Sequence, residues 1–88
     1  MISRFSSDII YDMLIIFTKH ALIKLLQRKI NRQFVLETIK NPDLTRPTYG
    51  FREELYKKFG KHHLKVIIKR RNKRVIVLTT HWVAKTKN

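Results

Sequence analysis

The hydrophobic period of the chain changes partway along, and that change limits the folds open to it more than any other feature. From Thr18 to Asn41 apolar residues recur at three- and four-residue spacing, the period of a helix with one buried stripe. From Thr48 on they come in short extended runs, in which alternate side chains fall on opposite faces. Thr18 is placed to cap a helix over 19–29, with Ala21, Leu22, Leu25, Leu26 and Ile30 as its stripe and Lys24 and Arg28 off it. Asn31 suits the N-cap of a second helix built on Val35, Leu36 and Ile39, and Asn41-Pro42 stops it. Residues 9–17 read both ways: their β-branched side chains favour a strand, whereas Ser7-Asp8 would open a helix, and the strand reading is preferred. Gly50 and Gly60 punctuate three extended runs over 51–59, 64–70 and 74–83. The last two are joined by Arg71-Asn72-Lys73, and the two-faced apolar stretch 75–78 marks a central strand. The expected architecture is α+β, an N-terminal helical hairpin packed on a three- to four-stranded antiparallel sheet. At 88 residues the chain supports one core, so residues 1–88 form a single domain.

Charge narrows the partners. Twenty Lys and Arg against six Asp and Glu give a net charge of +14. Residues 1–45 carry +3 and residues 46–88 carry +11, so the field belongs to the strand-forming half. Such a field attracts polyanions and gains affinity by releasing their counterions, which points to nucleic acid or an acidic protein. No cysteine is present, so disulfides, thiolate nucleophiles and cysteine-bound zinc are excluded, and the cytoplasm is the expected compartment. The longest apolar run is the five residues 13–17, against roughly 20 for a membrane span, so no membrane partner is expected. His62 and His63 adjoin each other in a strand lead-in and point to opposite sides; no metal or other cofactor is expected. Glycine-rich phosphate loops, serine elbows and paired carboxylates are missing, which leaves nucleotide hydrolysis, acyl transfer and glycoside chemistry without machinery.

Sorting the strands by alternation gives two faces. If Phe51, Leu55, Phe59, Leu64, Val66, Ile68, Ile76, Leu78 and Trp82 pack on the helices, the opposite face collects Arg52, Tyr56, Lys58, Lys65, Lys69, Thr79 and His81. Cations of that face suit an RNA backbone, and its rings suit unstacked bases. The same set suits RNA cleavage without a metal: an imidazole moves the proton of a 2′-hydroxyl or of the leaving oxygen, and Arg or Lys stabilises the phosphorane. His81, Arg52 and Lys65 are the candidates for those roles, with Tyr56 beside them. The non-catalytic alternative makes His81 an ordinary strand residue and the cations simple phosphate holders. Arg70, Arg71 and Lys73 at the hairpin tip suit a finger into a nucleic-acid groove or plain solvation. His20, Lys24 and Arg28 stack along one helix stripe that fits phosphate contact or a solvated face equally well.

From Phe17 onward the order of features resembles a prokaryotic family, domain of unknown function 4258. The residues that carry it are Phe17-Thr18-Lys19-His20-Ala21, Lys24, Arg28, Ile30-Asn31, Asn41-Pro42-Asp43, Tyr49, Arg52, the 64–66 strand and the 75–80 strand; Lys29 stands where the family has glycine. The resemblance implies a RelE-like fold of the RelE and ParE toxin group, whose ribonucleases use basic sheet residues and a Tyr or His near the end of the last strand. Arg52, Lys65 and His81 fall at comparable places, and His20 joins the candidate catalytic set through the matched Thr-x-His-Ala. Also implied are an acidic antitoxin partner and a link to the ribosome. The function expected is therefore a metal-independent endoribonuclease of toxin-antitoxin type, with a non-catalytic nucleic-acid-binding module as the alternative.

Overall fold

The computed structural model describes residues 6–10, as backbone, and residues 13–84. In chain order the elements are β1 (Ser6–Ile10), β2 (Met13–Phe17), α1 (Lys19–Gln27), α2 (Arg32–Lys40), β3 (Leu44–Thr48), β4 (Arg52–Phe59), β5 (His62–Arg71) and β6 (Arg74–Val83). Both expected caps form. The Thr18 hydroxyl oxygen accepts from the Ala21 N–H at 3.1 Å, and Asn31 Oδ1 accepts from the Gln33 N–H at 2.8 Å. Beyond the C-cap Arg28 of helix α1, Lys29 takes the left-handed region, φ 52°, and the Ile30 N–H returns to the Leu25 carbonyl at 2.9 Å.

The sheet corrects the expected architecture. The helices lie in the middle of the chain, after two strands, and not as an N-terminal hairpin. The sheet is mixed, with five strands in the order β2-β6-β5-β4-β3, and β1 extends it by pairing on β2. The RelE-like arrangement, drawn with an N-terminal hairpin on a smaller antiparallel sheet, is corrected with it. Two physical causes account for the difference. Residues 13–17 bury most as an inner strand: β2 runs parallel to β6, pairing Ile15 with Val75 and Phe17 with Val77, and both β2 residues are fully buried. Leu44–Thr48 pairs with β4 despite Pro47, because an edge strand tolerates a residue that cannot donate.

Helix α1 packs on β6 and β2, and α2 on β5 and β4. Under them Phe17, Val35, Leu64, Val66, Ile68 and Val77 are fully buried, and Phe34 stacks on Phe59 at 4.3 Å with Trp82 edge-on to both. Strict alternation fails in β6. A bulge lets Ile67 pair with Thr79 and Ile68 with Val77, so one residue is gained on β6. Val75 and Val77 therefore take the helix face together with Trp82, and Ile76, expected there, pairs with Lys69 on the other side. Phe51 also leaves its expected place: it sits in the β3–β4 turn, 90% exposed. Among the described residues no helix is long and apolar enough to cross a membrane.

Candidate functional site

Among the described residues no helix covers the second face of the sheet, and cross-strand pairing writes its contents in rows. Tyr56 on β4, Lys65 on β5 and His81 on β6 form one row. The next row toward the β5–β6 turn holds Glu54, Ile67 and Thr79, and the one after it holds Arg52, Lys69 and Ile76. Three of the expected catalytic residues thus meet. Arg52 does not join them: it stands four positions from Tyr56 along β4, about 13 Å at a strand rise of ~3.3 Å.

Tyr56 is only 7% exposed although no helix covers it, because polar neighbours enclose it. Its hydroxyl donates to Glu54 Oε1 at 2.9 Å, and the Arg46 guanidinium and the Lys65 ammonium each lie 5.8 Å from its ring centre. Burial, then the hydrogen bond to Glu54, raises the phenol above its ordinary value, so it stays protonated. Lys65 Nζ lies 3.5 Å from Glu54 Oε2. Glu54 is therefore the hub of the cluster, and sequence reading misses it. Its position in the strand, even-numbered like Arg52, Tyr56 and Lys58, was the available signal.

His81 owes its surroundings to an exposed sheet edge. Strand β6 pairs with β2 only over Arg74–Val77, because at Thr18 the chain turns into α1. From Leu78 on, side chains serve the carbonyls of that edge: the Thr18 hydroxyl donates to the Leu78 carbonyl at 3.3 Å, and Arg28 Nη1 to the Thr80 carbonyl at 2.7 Å. The second contact wraps the Arg28 guanidinium round the edge. Arg28, His81 and Trp82 line a shallow hollow of about 430 Å³ there. Burial, and after it the charges of Lys65 and Arg28, lower the His81 pKa below its ordinary value, with Glu54 opposing. At neutral pH the imidazole is uncharged and able to accept a proton.

The remaining candidates are spread out. His20 is exposed in the first turn of α1, eight residues from Arg28 and about 12 Å along the axis, so the helix stripe brings Arg28 to His81 and leaves His20 behind. Lys24 donates to Gln27 Oε1 at 3.1 Å. Lys58 is exposed on the open face opposite His63, and Lys69 is half-buried opposite Arg52. Arg70 is turned to the helix side, its Nε donating to Glu53 Oε2 at 2.8 Å, while Arg71 and Lys73 are exposed at the β5–β6 turn. His62 and His63 part as expected: His62 lies near Trp82, and His63 shares the open face with His81, one row and one strand away. Diagonal neighbours in a sheet lie roughly 7–8 Å apart, so His63 is a second imidazole within reach of one phosphate, also missed in the sequence.

No family model matches the chain, and neither the curated proteins nor the solved structures yield a match.

Proposed function

We propose that the chain is a metal-independent endoribonuclease of the cytoplasm that takes RNA onto the open sheet face and cleaves it beside His81. The observation that carries this reading is the flanking of His81 by two cations, Lys65 from β5 and Arg28 from the wrapped edge. A phosphodiester held against His81, at the rim of the hollow that Arg28 lines and beside the cross-strand Lys65, has a guanidinium on one side and an ammonium on the other to stabilise the charge that grows on its non-bridging oxygens. The neutral His81 imidazole takes the 2′-hydroxyl proton, O2′ bonds to phosphorus and the P–O5′ bond breaks. The products are a 2′,3′-cyclic phosphate and a 5′-hydroxyl, whose proton comes from water or from His63. Tyr56, kept neutral by burial and by its hydrogen bond to Glu54, is a positioning donor in this scheme and not the acid. Arg52, Lys69, Arg71 and Lys73 hold backbone phosphates upstream or downstream. The sequence resemblance adds a toxin role with an acidic antitoxin, which the +14 charge favours.

A non-catalytic RNA-binding module is the second reading, favoured by the engagement of Lys65 with Glu54 and of Arg28 with Thr80. One experiment separates them. Purified protein is incubated with RNA in EDTA, with and without ribosomes, and product ends are analysed. The enzyme reading expects 2′,3′-cyclic phosphate ends and a fall of roughly 10²-fold or more in rate for His81→Ala at unchanged RNA affinity. Intact RNA under both conditions leaves the binding module.

A further inference from the structure

The β3–β4 turn consists of Tyr49, Gly50 and Phe51, set between the paired residues Thr48 and Arg52. Both aromatic residues are 90% exposed. Gly50 takes its φ of 78° without penalty, but Phe51 at φ 58° is conformationally costly, because a bulky side chain is uncommon in the left-handed region. Nothing in the core repays that strain, because Phe51 contributes no burial. Around the rings Pro47, Thr48, Tyr49, Phe51, Arg52 and the Arg70-paired Glu53 line a shallow, largely apolar concavity of about 450 Å³.

Register fixes what surrounds this tip. Arg52 pairs with Lys69, and Arg71 pairs with Arg74 across the β5–β6 turn, so both turns lie at one end of the sheet. Arg52, Arg71, Lys73 and Arg74 are exposed there, and the carboxylate of Glu53 is taken by Arg70 at 2.8 Å. Exposed aromatic faces among cations with no acidic partner among the described residues are the chemistry by which single-stranded nucleic acid is held: phosphates on the cations, bases on the rings. The location argues for that ligand over a lipid surface. The Arg52–Lys69 row shares the open face with the Tyr56–Lys65–His81 row, about 13 Å farther along the strands and one row beyond Glu54, Ile67 and Thr79, where the Glu54 carboxylate is already engaged by Tyr56 and Lys65.

We infer that Tyr49 and Phe51 form a base-stacking platform, which grips unpaired bases of the single strand a few nucleotides from the phosphate at His81. The inference rests on the RNA reading above and adds to it a site for bases, where the rest of the open face offers chiefly charge. It also makes the ligand single-stranded, because paired bases do not present their faces to a protruding ring.

The test measures anisotropy of a short 2′-O-methyl RNA, which cannot be cleaved, against an abasic strand of equal length and charge. Wild-type protein should prefer the base-bearing strand by roughly tenfold or more. Tyr49→Ala with Phe51→Ala should erase that preference while leaving abasic affinity and its salt slope unchanged, and Tyr49→Trp with Phe51→Trp should restore it. Retention of the preference in the double alanine variant, or no preference in the wild type, overturns the platform. If wild type binds neither strand in a salt-dependent way, the RNA reading fails and the platform with it; salt-dependent binding without base preference fails the platform alone. Cosedimentation with anionic phospholipid vesicles supplies the last arm: loss of vesicle binding in the double alanine variant, with strand binding unaltered, reassigns the tip to a membrane surface.

Discussion

Strand β5 exposes the two halves of this molecule to direct comparison. Leu64, Val66 and Ile68 are completely buried beneath the helices, whereas Lys65, Ile67 and Lys69, alternating with them, are half-buried on the uncovered side. The covered face is sealed by apolar packing. The other face buries Tyr56 nearly as deeply, yet does so with Glu54, Lys65 and Arg46, so its order comes from directed polar contacts. A face built that way keeps charge available to a ligand, which a packed one cannot.

Adjacent isoleucines give the largest expected contrast. Ile68→Ala should cost about 2–5 kcal/mol, as a fully buried truncation that leaves a cavity, while Ile67→Ala should cost roughly 1 kcal/mol. Denaturant midpoints measure both, and equal losses would erase the distinction between the faces. Neighbouring glutamates come next. Glu54→Ala strands the Tyr56 hydroxyl in a buried position and should cost about 1–3 kcal/mol. Glu53→Ala removes a rim pair with Arg70 and should cost under about 1 kcal/mol.

Acidity sharpens the contrast further. The folded pKa of His81 lies below its ordinary value of 6.5, so the unfolded chain binds the proton more readily. The stability that this contributes is present above pH 6.5 and is lost as pH falls through the lowered folded value. In a denaturation series from about pH 7.5 to about pH 5, His81→Gln should show a shallower loss than wild type. Asp43, held below its ordinary 3.8 chiefly by the Lys58 backbone N–H, acts lower down: its contribution is present above pH 3.8 and lost beneath it. The smallest effect tests the wrapped edge. Arg28→Ala should move the His81 titration upward in an NMR pH series, toward its ordinary value, and an unmoved titration would detach α1 from the open face.

Much of the frame was legible in local chemistry. Thr18 and Asn31 cap helices because each is itself extended and supplies an oxygen to the next turn, and the apolar stretch 75–78 lies at the sheet centre. What the sequence hides is relational. The parallel pairing of β2 with β6 joins residues about sixty positions apart, and no local period records it. The bulge beside Ile67 has no residue signature, yet it exchanges the faces of residues 75–77 relative to strict alternation. Arg28 reaches His81 only because β6 outlasts β2, a consequence of where the chain leaves the sheet. Glu54 stood in plain view by parity but was outweighed by the cations around it.

The central claim is that RNA binds the open face of the sheet, and that net charge alone does not hold it. Two variants of equal charge test it most directly. Lys65→Gln with Lys69→Gln removes two cations of the open face; Lys19→Gln with Lys29→Gln removes two exposed cations of the helix layer. With uncleavable single-stranded RNA, the slope of log affinity against log salt should become shallower by about 1.4 in the first variant and stay near the wild-type value in the second. Equal changes in the two would contradict the account, because charge without a site would then explain the binding.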